Sequence, residues 1–345
     1  MEVIGLDIGF GFTKATSGKK SMIFKSVYGE ASDMQFKEQL LSEEAAEEHL
    51  QIDIAGTSYF AGELAERQSV ERFFTLDQAQ FVRDFTKVLA LVPLSRMVAR
   101  QEQIKLVAGL PVSHYRRHKT EIVDILKGQH EVTVVDAKGE RTDTVVRVDS
   151  VRVVPQPFGA LMDLMLNDLG EVTDKRFANE KVGVIDVGFR TTDYTIAERT
   201  RYSERGSKTI DLGMSKAFAT IAAKLQESSG VNVELYRLYK AVDEGAIKIH
   251  GKRYDLKLIT EHAFTQLATR VANEANRLWV NDWDIDKVIV TGGGGAVLAP
   301  FIQKIVKGEV VAIDPKVDSR LANVRGFHKY GKRLWTRGAN PPTGR

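Results

Sequence analysis

Asp7 lies near the end of an apolar run, EVIGLDI, and is followed by Gly9, Gly11 and Lys14. Glycines in a tight turn let backbone N–H groups approach an anion with no Cβ in the way, and successive N–H groups form a concave anion site. Lys14 adds a point charge. A carboxylate beside phosphate needs a reason to be there, and a divalent cation held through water supplies it. The chemistry is that of binding a metal-complexed polyphosphate. A second set repeats the plan: KVGVIDVGFRTTDYTIAE (181–198) places Asp186 and Gly188 before a return through Thr191 and Thr192. A third glycine group, Gly292, Gly293 and Gly294, follows the apolar run VIV. Alone, each has a plain structural reading, since D-x-G-x-G is a common hairpin turn and TGGGG a common strand-to-helix connection. Together and in this order they carry weight, because two related halves that each offer a glycine hairpin suggest two domains sharing one ligand.

The elements that must position these residues are legible from the pattern. Residues 2–8 read as a strand, and FTKATSG as its antiparallel return, turning at Ser17-Gly18-Lys19. Residues 34–50 are acidic, either a helix or a mobile insertion, and 51–62 read as a hairpin. Residues 77–100 carry Phe81, Phe85, Val88, Leu89 and Val92 at helical spacing. A buried strand is expected over 103–111, a helix over 113–127, and two strands around Lys138-Gly139. An apolar helix is expected over 158–169, further helices over 214–229 and 257–279, and strand, glycine run and helix over 286–306. AVDEGAIKIH, holding Glu244, Gly245 and Lys248, reads as an exposed helix, and the end RGANPPTGR as disordered.

Other chemistries drop out. The 345 residues contain no cysteine, so disulfides, thiolate metal sites and thiol nucleophiles are excluded. A net charge of +3 gives no case for wholesale nucleic-acid or membrane binding. No apolar run approaches the roughly 20 residues of a spanning helix, and the N-terminus lacks a signal-peptide pattern, so a cytoplasmic location is expected. No G-x-x-x-x-G-K-[ST] loop occurs, and GFGFTK leads into a strand rather than the helix that a dinucleotide fingerprint requires. His114 and His118 have the i, i+4 spacing of metal ligands, but no H-E-x-x-H accompanies them and a solvated basic face explains them better.

The ordered set D-x-G-x-G-x-x-K (7–14), VVPQPFGAL (153–161), VIDVGFRTTDY (184–194), IVTGGGGAVL (289–298) and ANVRGFHKYG (322–331) resembles the actin-like ATPase superfamily, and within it the bacterial and archaeal filament proteins of the plasmid-segregation (ParM) group. The resemblance spans nearly the whole chain. It implies an α/β fold of the actin-like, ribonuclease H-like duplicated kind, with two domains around an interdomain nucleotide cleft. Domain I would hold residues 1–155 and 325–345, with an insertion at about 20–80, and domain II residues 156–324. Asp7, Gly9, Phe10, Gly11, Phe12 and Lys14 would form the first phosphate loop, and Asp186, Gly188, Thr191 and Thr192 the second. Asp7 and Asp186 would hold hydrated Mg²⁺ and contribute to catalysis. Gln156 would orient the attacking water. Gly292, Gly293 and Gly294 would let adenosine lie against backbone, with Glu244 and Lys248 as further nucleotide contacts. Arg190 departs from the family pattern and has two readings, a phosphate contact or a pair with an acid.

The resemblance further implies an ATPase that binds ATP and ADP, with GTP as an alternative, and polymerises head to tail with itself, working with a small DNA-binding adaptor and without direct nucleic-acid contact. Two other functions fit the same motifs. One is a small-molecule kinase of the superfamily, for which the chain is short. The other is a non-polymerising adaptor at the membrane, for which the basic, aromatic stretch FHKYGKRLW (327–335) offers a contact unless it is a final helix packed on the first domain. A chaperone ATPase domain fits less well.

Overall fold

The computed structural model describes residues 2–31, 49–74, 85–98, 102–311 and 317–337. Two compact units emerge, one of Met1–Lys175 with Leu321–Arg345 and one of Arg176–Arg320.

Unit 1 contains β1 (Glu2–Ile8), β2 (Phe12–Thr16), β3 (Ser21–Lys25), β4 (Val27–Glu30), β5 (Gln51–Ile54), β6 (Thr57–Ala61), α1 (Gly62–Gln68), β7 (Phe73–Phe74), α2 (Thr86–Met97), β8 (Gln103–Leu110), α3 (Val112–Leu126), β9 (Gly128–Val135), β10 (Arg141–Pro155) and α4 (Pro157–Met165). The strands form one ten-stranded sheet in the order β3-β2-β1-β8-β10-β9-β5-β6-β4-β7. β1 is antiparallel to β2 and parallel to β8. Between Glu2 and Asp7 it is an apolar run because both its faces are covered. Ile4, Leu6 and Ile8 join the core containing Leu89, Leu91 and Leu94 of α2. On the other face lies the last helix, α10 (Ala322–Arg337), whose Val324 and Phe327 cluster with Val107 of β8.

The expected boundary at residue 156 is not where the compact units divide. α4 stays with unit 1 because it crosses α10 at a pair of glycines. A Cβ on Gly326 would stand 1.7 Å from the Gly159 carbonyl oxygen, so only glycine permits this approach. Asp163 of α4 then accepts from Arg325 at 2.9 Å and from Lys329 at 2.8 Å. α4 also stops earlier than its apolar pattern suggests, since Leu166 bridges to Val172 and the Asn167 side chain accepts from the N–H groups of Leu169 and Glu171. The stretch 327–335 lies within α10, with Phe327 buried.

Unit 2 contains most of the short α5 (Lys175–Asn179), then β11 (Lys181–Val187), β12 (Thr192–Glu198), β13 (Arg201–Ile210), α6 (Met214–Ser229), α7 (Leu238–Glu244), β14 (Ala246–Ile249), β15 (Lys252–Asp255), α8 (Lys257–Leu278), β16 (Lys287–Thr291), α9 (Gly295–Ile302) and β17 (Glu309–Val311). Its main sheet runs β13-β12-β11-β16-β17. β11 is antiparallel to β12 and parallel to β16, which repeats the β2-β1-β8 arrangement of unit 1. The core is pinned by two buried polar contacts: Tyr194 donates to the Val271 carbonyl at 3.1 Å, and the Trp279 indole to the Gly206 carbonyl at 2.9 Å.

AVDEGAIKIH is not one helix. α7 ends at Glu244, Gly245 takes a left-handed conformation (φ +69), and Ala246–Ile249 continue as β14. Expectations for residues 34–48, for 77–84 and for the terminal 338–345 lie outside the described residues. No described helix is long and apolar enough to cross a membrane.

Candidate functional site

In unit 1 the turn between β1 and β2 is closed by the Gly9 N–H donating to the Phe12 carbonyl at 3.1 Å. Gly11 gives its carbonyl to the Ser26 N–H at 2.9 Å, which ties the turn to the next hairpin. Asp7 and Lys14 are direct cross-strand partners. Lys14 Nζ lies 3.0 Å from Asp7 Oδ2, and Asp7 is 2% exposed. Phe10 meets the His114 ring edge-on at 6.4 Å and so turns inward, while Phe12 is half-buried.

Gln156 reaches the same carboxylate from two strands away, across β8. It follows β10, and its N–H donates to the Leu110 carbonyl at 2.8 Å. Its side chain is buried, with Nε2 2.5 Å from Asp7 Oδ1. Two hairpin partners and one residue distant in the chain thus form one polar cluster: a carboxylate, a cation and an amide. The amide has spent one N–H on Asp7, which leaves its oxygen as an acceptor.

Unit 2 builds the same turn from different side chains. The Gly188 N–H donates to the Thr191 carbonyl at 2.9 Å. Thr191 is buried, and the Thr192 hydroxyl donates inward to the Leu212 carbonyl at 2.5 Å. Arg190 pairs with Asp211 at 3.4 Å, the acid-pairing alternative of its two readings. Asp186 is 7% exposed and stands opposite Asp193 on one side and Thr291 on the other. Asp193 was not singled out from the sequence. The signal was available: it follows Asp186 by the same interval that separates Lys14 from Asp7. Its carboxylate accepts from the Thr209 hydroxyl at 2.5 Å.

The glycine run serves three separate ends. Gly292 has φ +87, and a Cβ there would stand 2.2 Å from Asp186 Oδ1, so this glycine makes room for the carboxylate. Gly294 makes room for Met214, whose Cγ would lie 2.6 Å from an added Cβ. Gly293 alone faces open space. Glu244 sits at the end of α7, 3.7 Å from Lys240, and Lys248 is exposed on the β14–β15 hairpin. Neither contacts the loop residues through any described bond.

Asp7 and Asp186 suit an outer-sphere metal. Each is a buried carboxylate near the end of a strand that lies between an antiparallel and a parallel neighbour. No three described His, Asp or Glu side chains gather as an all-protein cage. Such a donor set suits Mg²⁺, which keeps several of its waters. His114 and His118 stack at 5.7 Å, with His118 3.2 Å from Glu121 on an exposed face, and gather no third ligand.

The N-terminal domain profile of actin-like proteins matches residues 5–159, and the C-terminal profile of an archaeal MreB-like actin homologue matches residues 184–304. The chain belongs to the actin-like superfamily. This actin-like chain has no significant match among curated protein sequences. Among solved structures it is similar to ParM in a 15-stranded filament from Clostridium botulinum, at 25% identity and a TM-score of 0.80, covering 96% of this chain and 99% of that one. It is similar to a non-polymerisable quadruple mutant of pCBH ParM, at 26% identity and a TM-score of 0.78 over 96% and 99% of the two chains. An archaeal actin homologue, Ta0583, solved in complex with ADP, shares the fold at 19% identity and a TM-score of 0.79 over 96% and 100%. The actin-like fold with two domains is thereby shown for the whole chain.

Proposed function

We propose that the protein is an ATPase that binds Mg-ATP with both glycine turns and assembles with copies of itself into nucleotide-dependent filaments. The observation that carries this reading is the cluster of Asp7, Lys14 and Gln156 at the mouth of one turn, matched by a second turn of the same hydrogen-bonded form around Asp186. The likeness to ParM in a filament supports self-association, and the ADP complex of an archaeal relative supports the nucleotide.

The chemistry is phosphoryl transfer to water, which asks the protein for position and charge rather than a covalent intermediate. Mg²⁺, when bound, neutralises charge building on the terminal phosphates. Lys14 holds a fixed positive charge at the first turn because Asp7 restrains its ammonium. The turn amides donate to phosphate oxygens. Gln156 takes no proton; its carbonyl oxygen accepts from the attacking water while Asp7 locks its amide. Asp7 and Asp186 would hold Mg²⁺ through water. Loss of the terminal phosphate removes contacts and weakens the assembly. The cellular role proposed is segregation of plasmid or other DNA, or positioning of intracellular cargo, through a DNA-binding adaptor.

The test is light scattering and pelleting with Mg-ATP, Mg-ADP or no nucleotide, with phosphate release followed alongside. Scattering that rises with ATP and decays as phosphate appears is the expected result. Gln156→Ala should keep nucleotide affinity and lower turnover roughly 100-fold, the scale on which loss of orientation slows a reaction. Unchanged turnover removes Gln156 from the mechanism. Phosphorylation of a small metabolite without pelleting would replace the filament with a kinase.

A further inference from the structure

Four polar residues stand in one row across the sheet of unit 2. Thr209 of β13 pairs in register with Asp193 of β12, Asp193 with Asp186 of β11, and Asp186 with Thr291 of β16. Residues paired directly across strands share a face of the sheet. Two carboxylates therefore sit side by side, each with a threonine on its outer side. We propose that Thr291 is a positioning residue, whose hydroxyl donates to the Asp186 carboxylate and fixes its aim when Mg-nucleotide binds. The inference rests on the reading of Asp186 as a carboxylate that holds Mg²⁺ through water.

Half of the row is already joined. The Thr209 hydroxyl donates to Asp193 Oδ1 at 2.5 Å. Thr291 stands in the same relation to Asp186 and is fully buried, yet its Oγ1 has no hydrogen-bond partner among the described residues. A buried hydroxyl left unpaired carries a desolvation cost, and valine would keep the branched shape without it. The Asp186 carboxylate extends to this end of β16, since its Oδ1 would lie 2.2 Å from a Cβ on Gly292, the residue after Thr291.

Unit 1 meets the same need with other groups. There the parallel partner of Asp7 is Gly109 of β8. A Cβ on Gly109 would stand 2.9 Å from Gln156 Cγ, so this glycine admits the Gln156 side chain, whose Nε2 lies 2.5 Å from Asp7 Oδ1. Lys14 donates to Asp7 Oδ2 at 3.0 Å. Donors thus hold both oxygens of Asp7. Across the hairpin from Asp186 stands Asp193 rather than a lysine, and adjacent carboxylates repel. A hydroxyl donor on the outer strand offsets that repulsion and leaves the other carboxylate oxygen to a metal-bound water. Groups that hydrogen-bond a metal's carboxylates set their orientation, and losing one weakens metal binding about 10–100-fold.

The test is ADP binding by the full chain, measured by calorimetry over a series of Mg²⁺ concentrations. Thr291→Val removes the donor and should raise the Mg²⁺ concentration that gives half the full gain in ADP affinity about tenfold. Thr291→Ser keeps a hydroxyl and should restore the wild-type value. Urea unfolding of metal-free Thr291→Val should show no loss of stability, because the hydroxyl removed had no partner. A wild-type Mg²⁺ dependence in Thr291→Val overturns the inference, as does an equal shift in Thr291→Ser. If Asp186→Asn abolishes the Mg²⁺ effect while Thr291→Val leaves it intact, the metal reading stands and the role of Thr291 falls. If Mg²⁺ does not strengthen ADP binding by wild type, the metal reading falls and takes this inference with it.

Discussion

Across the hairpin of unit 1 the residue facing Asp7 is Lys14; across the hairpin of unit 2 the residue facing Asp186 is Asp193. The backbone around them is the same, down to the hydrogen bond from the first glycine of the turn to the residue three further on. Duplication has kept the main-chain geometry and divided the charge. One half offers a cation beside its aspartate and the other a second carboxylate.

The comparison breaks most visibly in stability. Asp7→Ala strands Lys14, whose side chain is 12% exposed, and should cost about 3–5 kcal/mol, as removing one partner of a buried pair does. Asp186→Ala removes one of two facing acids and should cost nearer 1 kcal/mol. Urea unfolding of both variants measures this, and equal losses would refute the asymmetry. Next in size is the glycine run. Gly292→Ala adds a Cβ against Asp186 at a left-handed φ and should cost about 3 kcal/mol or more. Gly293→Ala should change stability by no more than about 0.5 kcal/mol and weaken ADP binding roughly tenfold, about 1.4 kcal/mol. Thermal unfolding with isothermal titration separates the two.

A third difference is titration. His328 of α10 is buried in unit 1 with Nδ1 2.9 Å from the Val3 carbonyl. Burial holds its pKa below the ordinary imidazole value; the Val3 carbonyl and Asp168 oppose that shift, and Lys332 and Lys329 add to it. The stability it contributes is full above about pH 6.5, where both folded and unfolded forms are neutral. As pH falls below that, the unfolded chain takes up the proton first and stability is lost until the folded-state group protonates. Unit 2 has His250 and His262, both exposed. Hydrogen exchange between pH 7.5 and 5 should therefore show protection falling first in β1, β2 and α10, and His328→Gln should flatten that response. The smallest effect belongs to Asp193→Asn, which relieves facing like charges and should stabilise unit 2 by about 0.2–1 kcal/mol. Destabilisation would mean that the Thr209 bond outweighs the repulsion.

Much of this was readable from residue pattern. β1 and β11 are apolar runs, broken near the end by one aspartate, that lead into a glycine turn, so both strands and both phosphate-loop candidates were evident. Helical spacing located α3, α6 and α8. What escaped depends on contacts between residues far apart. The α4–α10 crossing needs Gly159 and Gly326 to meet, and nothing local in either stretch announces it. The three glycines 292–294 look equivalent in sequence, and only their neighbours distinguish the one open to a ligand. Gly245 read as a helix residue, although its left-handed conformation splits the stretch into helix and strand. Asp193 was hidden because the facing position differs in kind between the halves, so likeness of sequence drew attention away from it.

The seating of α10 bears on how the chain is made. The helix packs on one face of β1, β2 and β8, and the His328 side chain occupies the space that a Cβ on Gly18 would take. These residues follow all of unit 2 in the chain. The sheet of unit 2 can be complete while the first 175 residues still lack their closing helix. A chain stopped short of α10 therefore leaves the sheet around the first turn without its packing helix while the sheet of unit 2 is complete.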